Sequence, residues 1–170
     1  MNAEITNFRS SDLWQSDFVA FVLGCSFSFE QELMKAGISL RHITEGSVSP
    51  MYVTNMNTAA SGEFGGKLVV SMRGLCPSDA IRAVQITSRF PKFHGAPVHI
   101  GKPEIIGVDL ARPYGGHGLT QLHDDELPVF WACGATAQVA LERARLPIAI
   151  THSRAHMVLT DLKSKDFTAL

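Results

Sequence analysis

Cysteine is scarce: Cys25, Cys76 and Cys133 are the three present, with no C-x-x-C pair among them. An odd count at wide spacing argues against a disulfide framework and a zinc ribbon. Long hydrophobic runs are missing too. The longest strongly apolar stretch, Phe18 to Cys25, falls far short of the ~20 residues that cross a bilayer as a helix. Neither sign of charge is in excess, with Lys plus Arg at 15 and Asp plus Glu at 16. There is no electrostatic footprint for nucleic acid or an anionic membrane. Gly62, Gly65 and Gly66 do not form a G-x-G-x-x-G or P-loop pattern, so a nucleotide site has no support. Met1-Asn-Ala-Glu4 begins neither a basic n-region nor an apolar h-region, and the expected compartment is the cytoplasm. What is plentiful is core material. At 45% hydrophobic and 18% charged over 170 residues, the chain suits one globular domain, or one with a small lobe.

The stretch that organises the chain is Phe18 to Leu33, FVAFVLGCSFSFEQEL. It reads as an apolar run, a small-residue corner at Gly24-Cys25-Ser26, and a helix start. Length and Phe/Val content favour a strand over a buried helix for residues 18–23. Ser28 with Gln31 has the form of a capping box, and Gly37 suits the end of the helix. A strand that turns into a helix through such a corner leaves backbone N–H groups and a helix dipole facing outward, which favours anions.

Ahead of this run, residues 1–17 are polar and expected to fray, apart from Leu13 and Trp14. Beyond it, Ser39–Thr44 and Met51–Thr54 are strand candidates, and Asn55–Gly66 is a loop. Leu68–Met72, a helix opened by Pro77 and stopped by Pro91, and Val98–Ile100 have the size of a βαβ unit. Pro103–Val108 is a further apolar piece. Pro128–Ala132 is a strand candidate that runs into a second corner, Cys133-Gly134, and a helix from Thr136 to about Arg145. Ile148–Thr151 and Met157–Thr160 close the chain as two strands. The alternation predicts an α/β fold, a layered mixed sheet flanked by helices with a smaller α+β inserted lobe. Residues 1–62 and 109–170 would form the main part and 63–108 the lobe. The two corners echo each other: Cys25, Ser28, Glu30 and Leu33 align with Cys133, Thr136, Gln138 and Leu141. A duplication and two ordinary turns both explain the echo.

Several side chains have chemistry to offer. At helix starts Cys25 and Cys133 could be thiolates, or simply small buried hydrophobes. His94 and His99 lie across a proline-stiffened loop entering a strand, and His152 and His156 flank another loop. Imidazole moves protons near neutrality. His152 and His156 would converge on a metal only from a helix, and the segment reads as a loop, so no metal site is expected. Arg73, directly after a predicted strand, could fork onto a carboxylate, as could Arg41 and Arg89.

The strings FVLGCSFSFE (21–30), RH (41–42), MYVTN (51–55), VVSMR (69–73), AVQITSRFP (83–91), HGAPVHIG (94–101), PVFWACG (128–134) and ITH…HM…TD (150–161) resemble the hydro-lyase family that includes D-glutamate cyclase. The likeness runs from about Leu13 to the C-terminus. It implies a two-part α/β architecture and a reaction in which D-glutamate loses water and closes into 5-oxo-D-proline. Family members usually carry a further stretch ahead of the Trp14 region. Arg73-Gly74, Gly134-Ala-Thr-Ala-Gln138, Thr151-His-Ser-Arg-Ala-His156 and Tyr114-Gly-Gly-His117 depart from the family's usual strings.

The chemistry of that reaction needs a base, an acid and an oxyanion site. His94 and His99 are the expected base and acid, in either order, with His152 as a reserve proton carrier. Backbone amides around Gly24, Cys25 and Ser26, and around Cys133 and Gly134, would hold carboxylate or oxyanion, and Arg73 would anchor the other carboxylate. No cofactor is expected. The expected partner is a small carboxylate, not nucleic acid or membrane, with a homo-oligomer left open. A non-catalytic small-carboxylate binding or partner subunit is the alternative function, and a cysteine-dependent amidase or acyltransferase is a third.

Overall fold

Val69-Val-Ser-Met72 lies at the middle of the strand that everything else packs on. In the computed structural model, which describes residues 10–153 and 156–169, the elements follow in order. Helices α1 (Ser10–Leu13), α2 (Phe27–Lys35) and α3 (Arg41–Thr44) precede strands β1 (Met51–Asn57) and β2 (Lys67–Leu75). Helix α4 (Pro77–Thr87), strand β3 (His99–Ile100), strand β4 (Leu127–Ala132) and helix α5 (Ala135–Ala144) complete the set. Short 3-10 turns occupy Pro91–Phe93, Pro103–Ile106 and Ser164–Phe167.

The sheet order is β1-β2-β4-β3, with every neighbouring pair antiparallel. Both β2 and β3 oppose β4, so they run parallel to each other with β4 slotted between them. The expected strand–helix–strand unit at 67–101 therefore exists in split form, with α4 as its crossover. Strands drawn from 1–62, 63–108 and 109–170 share this one sheet, and the fold is mixed α/β as expected.

Side chains alternate across the sheet. On one face Val129 and Trp131 join Phe29 and Leu33 of α2, Ala80 and Ala83 of α4, and Ile38, Leu40, Leu75 and Phe90. On the other face Val70, Met72 and Phe130 pack with Tyr52, Ile106 and Val108. Each face is covered, which is why β2 is buried along most of its length. α2 ends in a Schellman motif: Gly37, at φ +80°, donates to the Met34 carbonyl and Ile38 to that of Leu33. The buried Trp131 indole donates to Thr87 Oγ1 at 3.1 Å, so its one polar atom is satisfied.

Three sequence expectations fail. Residues 18–23 form no strand; Phe21 and Val22 are 81% and 84% exposed. Arg41–Thr44, expected in a strand, is a helical turn. Residues 148–151 and 157–160 are irregular and exposed. Period and composition propose a strand, but a strand needs a neighbour to take its backbone hydrogen bonds, and none meets these segments among the described residues. Of the frayed stretch expected at 1–17, residues 1–9 lie outside the described part. Among the described residues no helix is long and apolar enough to cross a membrane.

Candidate active site

The two corners have the same backbone. Ser26 sits at φ −61°, ψ −23° and Gly134 at φ −57°, ψ −22°. Ser28 N–H donates to the Cys25 carbonyl and Thr136 N–H to that of Cys133, both at 3.0 Å. In each corner the amide two residues on, Phe27 or Ala135, points at the cysteine sulfur. Neither N-cap residue, Ser26 or Gly134, makes a side-chain cap hydrogen bond, and the expected capping box at Ser28 does not form. Both corners dock on β2. Thr136 Oγ1 accepts from Val69 N–H at 3.0 Å, while Ser26 Oγ lies 3.3 Å from Ser71 Oγ. Val69 and Ser71 are two residues apart, about 7 Å along the strand.

Arg73 lies on the same face of β2, its side chain 1% exposed. Its Nε and Nη2 donate to Glu30 Oε1 at 2.9 and 2.5 Å, Nη1 to Ser71 Oγ at 2.9 Å, and Nη2 also to Ser26 Oγ at 3.1 Å. The guanidinium lies 5.4 Å from the centre of the Phe29 ring and 5.3 Å from that of Trp131, within cation–π range of both. His42 Nε2 approaches Glu30 Oε1 to 3.1 Å at a skewed angle. Burial works to raise the Glu30 carboxyl, but the His42 contact and the Arg73 charge outweigh it and hold the group below the usual carboxylate range. A cavity of about 10 Å³, the size one water needs, borders His42 and Arg73. A wider cleft of about 350 Å³ is lined by Tyr52, Gly107, Asp109 and Arg112 and holds none of these groups.

His94 joins this cluster from the turn after Phe93. It takes up φ +75°, in the left-handed region that few residues with a side chain adopt. Gly24 makes the approach possible, since a Cβ there would lie 1.8 Å from the Lys92 carbonyl oxygen. Burial, helped by the Arg73 charge and opposed by the Gly24 carbonyl, pushes the His94 imidazole below its ordinary value. His94 is therefore neutral at pH 7. Its Nε2 is buried without a hydrogen-bond partner among the described residues. Burial raises the Cys25 and Cys133 thiols, against the pull of the Phe27 and Ala135 amides and of Arg73. Cys133 Sγ also lies 3.6 Å from Met51 Sδ.

Gly24, Cys25, Ser26, Arg73, His94, Cys133 and Gly134 are thus neighbours. His99 is not among them. It pairs with Phe130 across β3 and β4, its ring 5.9 Å from the Phe130 ring, on the sheet face opposite Arg73 and Trp131. Its Nε2 is engaged with the Lys102 carbonyl at 2.9 Å, so His94 and His99 do not assemble as a pair. His152 is exposed, with Nδ1 2.7 Å from the Ser153 carbonyl, and its own carbonyl lies near Gln138 of α5. Arg73 was expected to be free for a carboxylate and is instead enclosed by Glu30 and two hydroxyls. Glu30, His42, Ser71 and Thr136 were given no role in the site from sequence. Their signals were a carboxylate in the first turn of α2 and a serine inside a strand run. Among the described residues no three His, Cys, Asp or Glu side chains converge to hold a metal ion.

A family model described as D-glutamate cyclase matches residues 19–161. This chain belongs to the D-glutamate cyclase family. Relatives named "Putative hydro-lyase" include one from Paraburkholderia phymatum, 60% identical over 88% of this chain and 58% of its own length. Another, from Paraburkholderia phytofirmans, is 55% identical over 95% of this chain and 63% of its own. A third, from Aliivibrio salmonicida, is 50% identical over 96% and 65%. The chain thus spans about three fifths of the length of these curated relatives. The strings that resemble the D-glutamate cyclase family gather at one place: GCSFSFE forms the first corner and α2, VVSMR is the centre of β2, and PVFWACG forms β4 and the second corner. HGAPVHIG divides, sending His94 to the corners and His99 to the other face.

Proposed function

We propose that this chain provides the proton-transfer part of a hydro-lyase that closes D-glutamate into 5-oxo-D-proline with loss of water. The observation that carries the proposal is a neutral imidazole, His94, whose buried Nε2 has no hydrogen-bond partner among the described residues, beside a buried guanidinium that two matching helix starts flank. In this scheme His94 takes a proton from the α-ammonium group. The freed amine attacks the γ-carboxyl carbon and the C–N bond forms; the nitrogen then gives up a second proton, and the C–O bond breaks as the departing oxygen, having gained two protons in all, leaves as water. Cys25 and Cys133, held as thiols by burial, are the proton donors at hand. The Arg73 charge and the two helix dipoles favour the oxyanion that develops on the γ-carboxyl group. Arg73 acts through its field, since Glu30, Ser26 and Ser71 occupy its donors. His152, beside α5, is a reserve carrier.

The test is to incubate the chain with D- and L-glutamate and follow 5-oxoproline by chiral chromatography and mass spectrometry. Product from the D-isomer that falls at least ~100-fold in His94→Asn is expected, as for loss of a general base. Undiminished turnover in that variant refutes the role of His94. A second function is binding of the same small carboxylates without turnover. Calorimetric binding of D-glutamate or 5-oxoproline with no product separates the two.

A further inference from the structure

Two of the most apolar segments of the chain are also among the barest. Val19, Phe21, Val22 and Leu23 are 56–84% exposed, and Val158 and Leu159 are 74% and 91% exposed, with Ile148 and Ile150 partly so. Both segments have strand composition and neither belongs to the sheet. A patch of this kind marks an interaction surface, and strand-prone backbone without a neighbour is a template for an added strand. Both segments are moored at one place. Gly24, which follows the first, abuts the Lys92 carbonyl. Phe167, beyond the second, packs on Phe93 at 5.5 Å, and Ala169 N–H donates to the Arg89 carbonyl at 2.7 Å. They are not tails foreign to the fold, because the family match runs from residue 19 to residue 161 and takes in both. The relatives carry roughly two fifths of their length outside the matched region.

We infer that residues 18–23, 148–153 and 156–162 form a docking surface for that further part of a D-glutamate cyclase family chain, which joins them as added strands. Its peptide groups complete their backbone hydrogen bonds, and its apolar side chains cover Phe21, Val22 and Leu159. A chain with no catalytic activity would still bind it, so the inference stands apart from the chemistry proposed above.

The experiment co-expresses the full chain with the part of the Paraburkholderia phymatum relative that lies outside its matched residues. Size-exclusion chromatography with light scattering reads the complex, and hydrogen–deuterium exchange reads the two segments. A one-to-one complex is expected, with exchange in 18–23 and 156–162 slowed at least ~100-fold, as for amides that enter a ladder. Val22→Lys and Leu159→Lys, both at exposed positions, should leave the circular dichroism of the free chain unchanged. Each should weaken the complex at least ~10-fold through lost apolar burial. If the relative's segment is insoluble alone, joining it to the chain in one polypeptide gives the same exchange readout. Segments that exchange freely in both formats overturn the inference. So does protection that the chain shows by itself through self-association and that Val22→Lys removes.

Discussion

Removing the Glu30 carboxylate tests whether the buried network is what holds the α2 start on the sheet. Arg73 is 1% exposed on its side chain and Glu30 9%, so water cannot replace a lost partner. Glu30→Ala leaves the guanidinium charged with only Ser26 and Ser71 as acceptors and the faces of Phe29 and Trp131 beside it. Stranding one member of a buried pair costs about 3–5 kcal/mol. The retained hydroxyl and ring contacts put the expectation near the lower end, at about 3 kcal/mol. Arg73→Met strands Glu30 with His42 alone and should cost a similar amount. The double variant Glu30→Gln, Arg73→Met removes both charges and keeps the volume, and its penalty should fall to about 1 kcal/mol, because replacing both members of a buried pair is often close to neutral. Urea unfolding followed by tryptophan fluorescence suits the measurement, since Trp131 is fully buried against Arg73 whereas Trp14 is 56% exposed. Single variants Glu30→Gln and Arg73→Met that each cost under about 1 kcal/mol, and that add in the double, would show two solvated and independent charges and refute the reasoning.

Gly24→Ala places a methyl group against the Lys92 carbonyl oxygen, and the forced shift should lower stability by about 1–3 kcal/mol in thermal unfolding, with His94 displaced. For Glu30 the folded pKa is depressed. Its contribution is present above the unfolded value of about 4.3 and fades as pH falls through the folded one. Glu30→Gln should therefore flatten the stability profile at that acid end. His94 is also depressed in the fold. The unfolded chain binds the proton first below about pH 6.5, so stability falls with pH in that window, and His94→Asn should remove that part of the slope. Cys25 and Cys133 have raised thiols, and their alkylation should rise only above about pH 8.5, the ordinary thiol value. Peptide mass spectrometry reads this, and rapid labelling of either at pH 7 would sink the assignment of both as proton donors.

Much of the fold is legible in the sequence because local rules decide it. Val69, Val70 and Met72 announce β2; Pro77 and Pro91 bracket α4; Gly37 ends α2. Other features depend on partners far along the chain. Glu30 and Arg73 are 43 residues apart, and no periodicity couples a helix carboxylate to a strand arginine. The face on which His99 lands follows from its register against Phe130, which shows only when β4 is in place. Residues 18–23 carry the composition of a strand, but composition does not supply the neighbour. The convergence of the two corners was readable in outline, from small residues and cysteine at matching positions. Their docking two residues apart on β2 comes from Thr136 and Ser26, whose hydroxyls carry no such signal.

The two corners share a backbone and differ in what lies one turn further on. In α2 that position is Glu30, which faces inward and holds Arg73 and His42. In α5 it is Gln138, half-buried, whose Nε2 donates to the His152 carbonyl at 3.5 Å. A symmetric pair of helix starts would treat the two ends of a dicarboxylate alike. The charged network lies at one corner only, so the field across the pair has a direction, positive toward β2 and compensated on the α2 side. His94 stands on that same side, beside Gly24. An amino acid with two carboxylates would thus meet its base at the α2 corner and the uncompensated amides of α5 at the other. Exchanging the two residues, Glu30→Gln with Gln138→Glu, tests this. The double exchange keeps net charge and composition, yet it should cost stability as the single loss of Glu30 does, because the new carboxylate at 138 stands where Gln138 meets the His152 carbonyl, not Arg73. Recovery of wild-type stability in the exchanged chain would mean that the corners are interchangeable and the field has no preferred end.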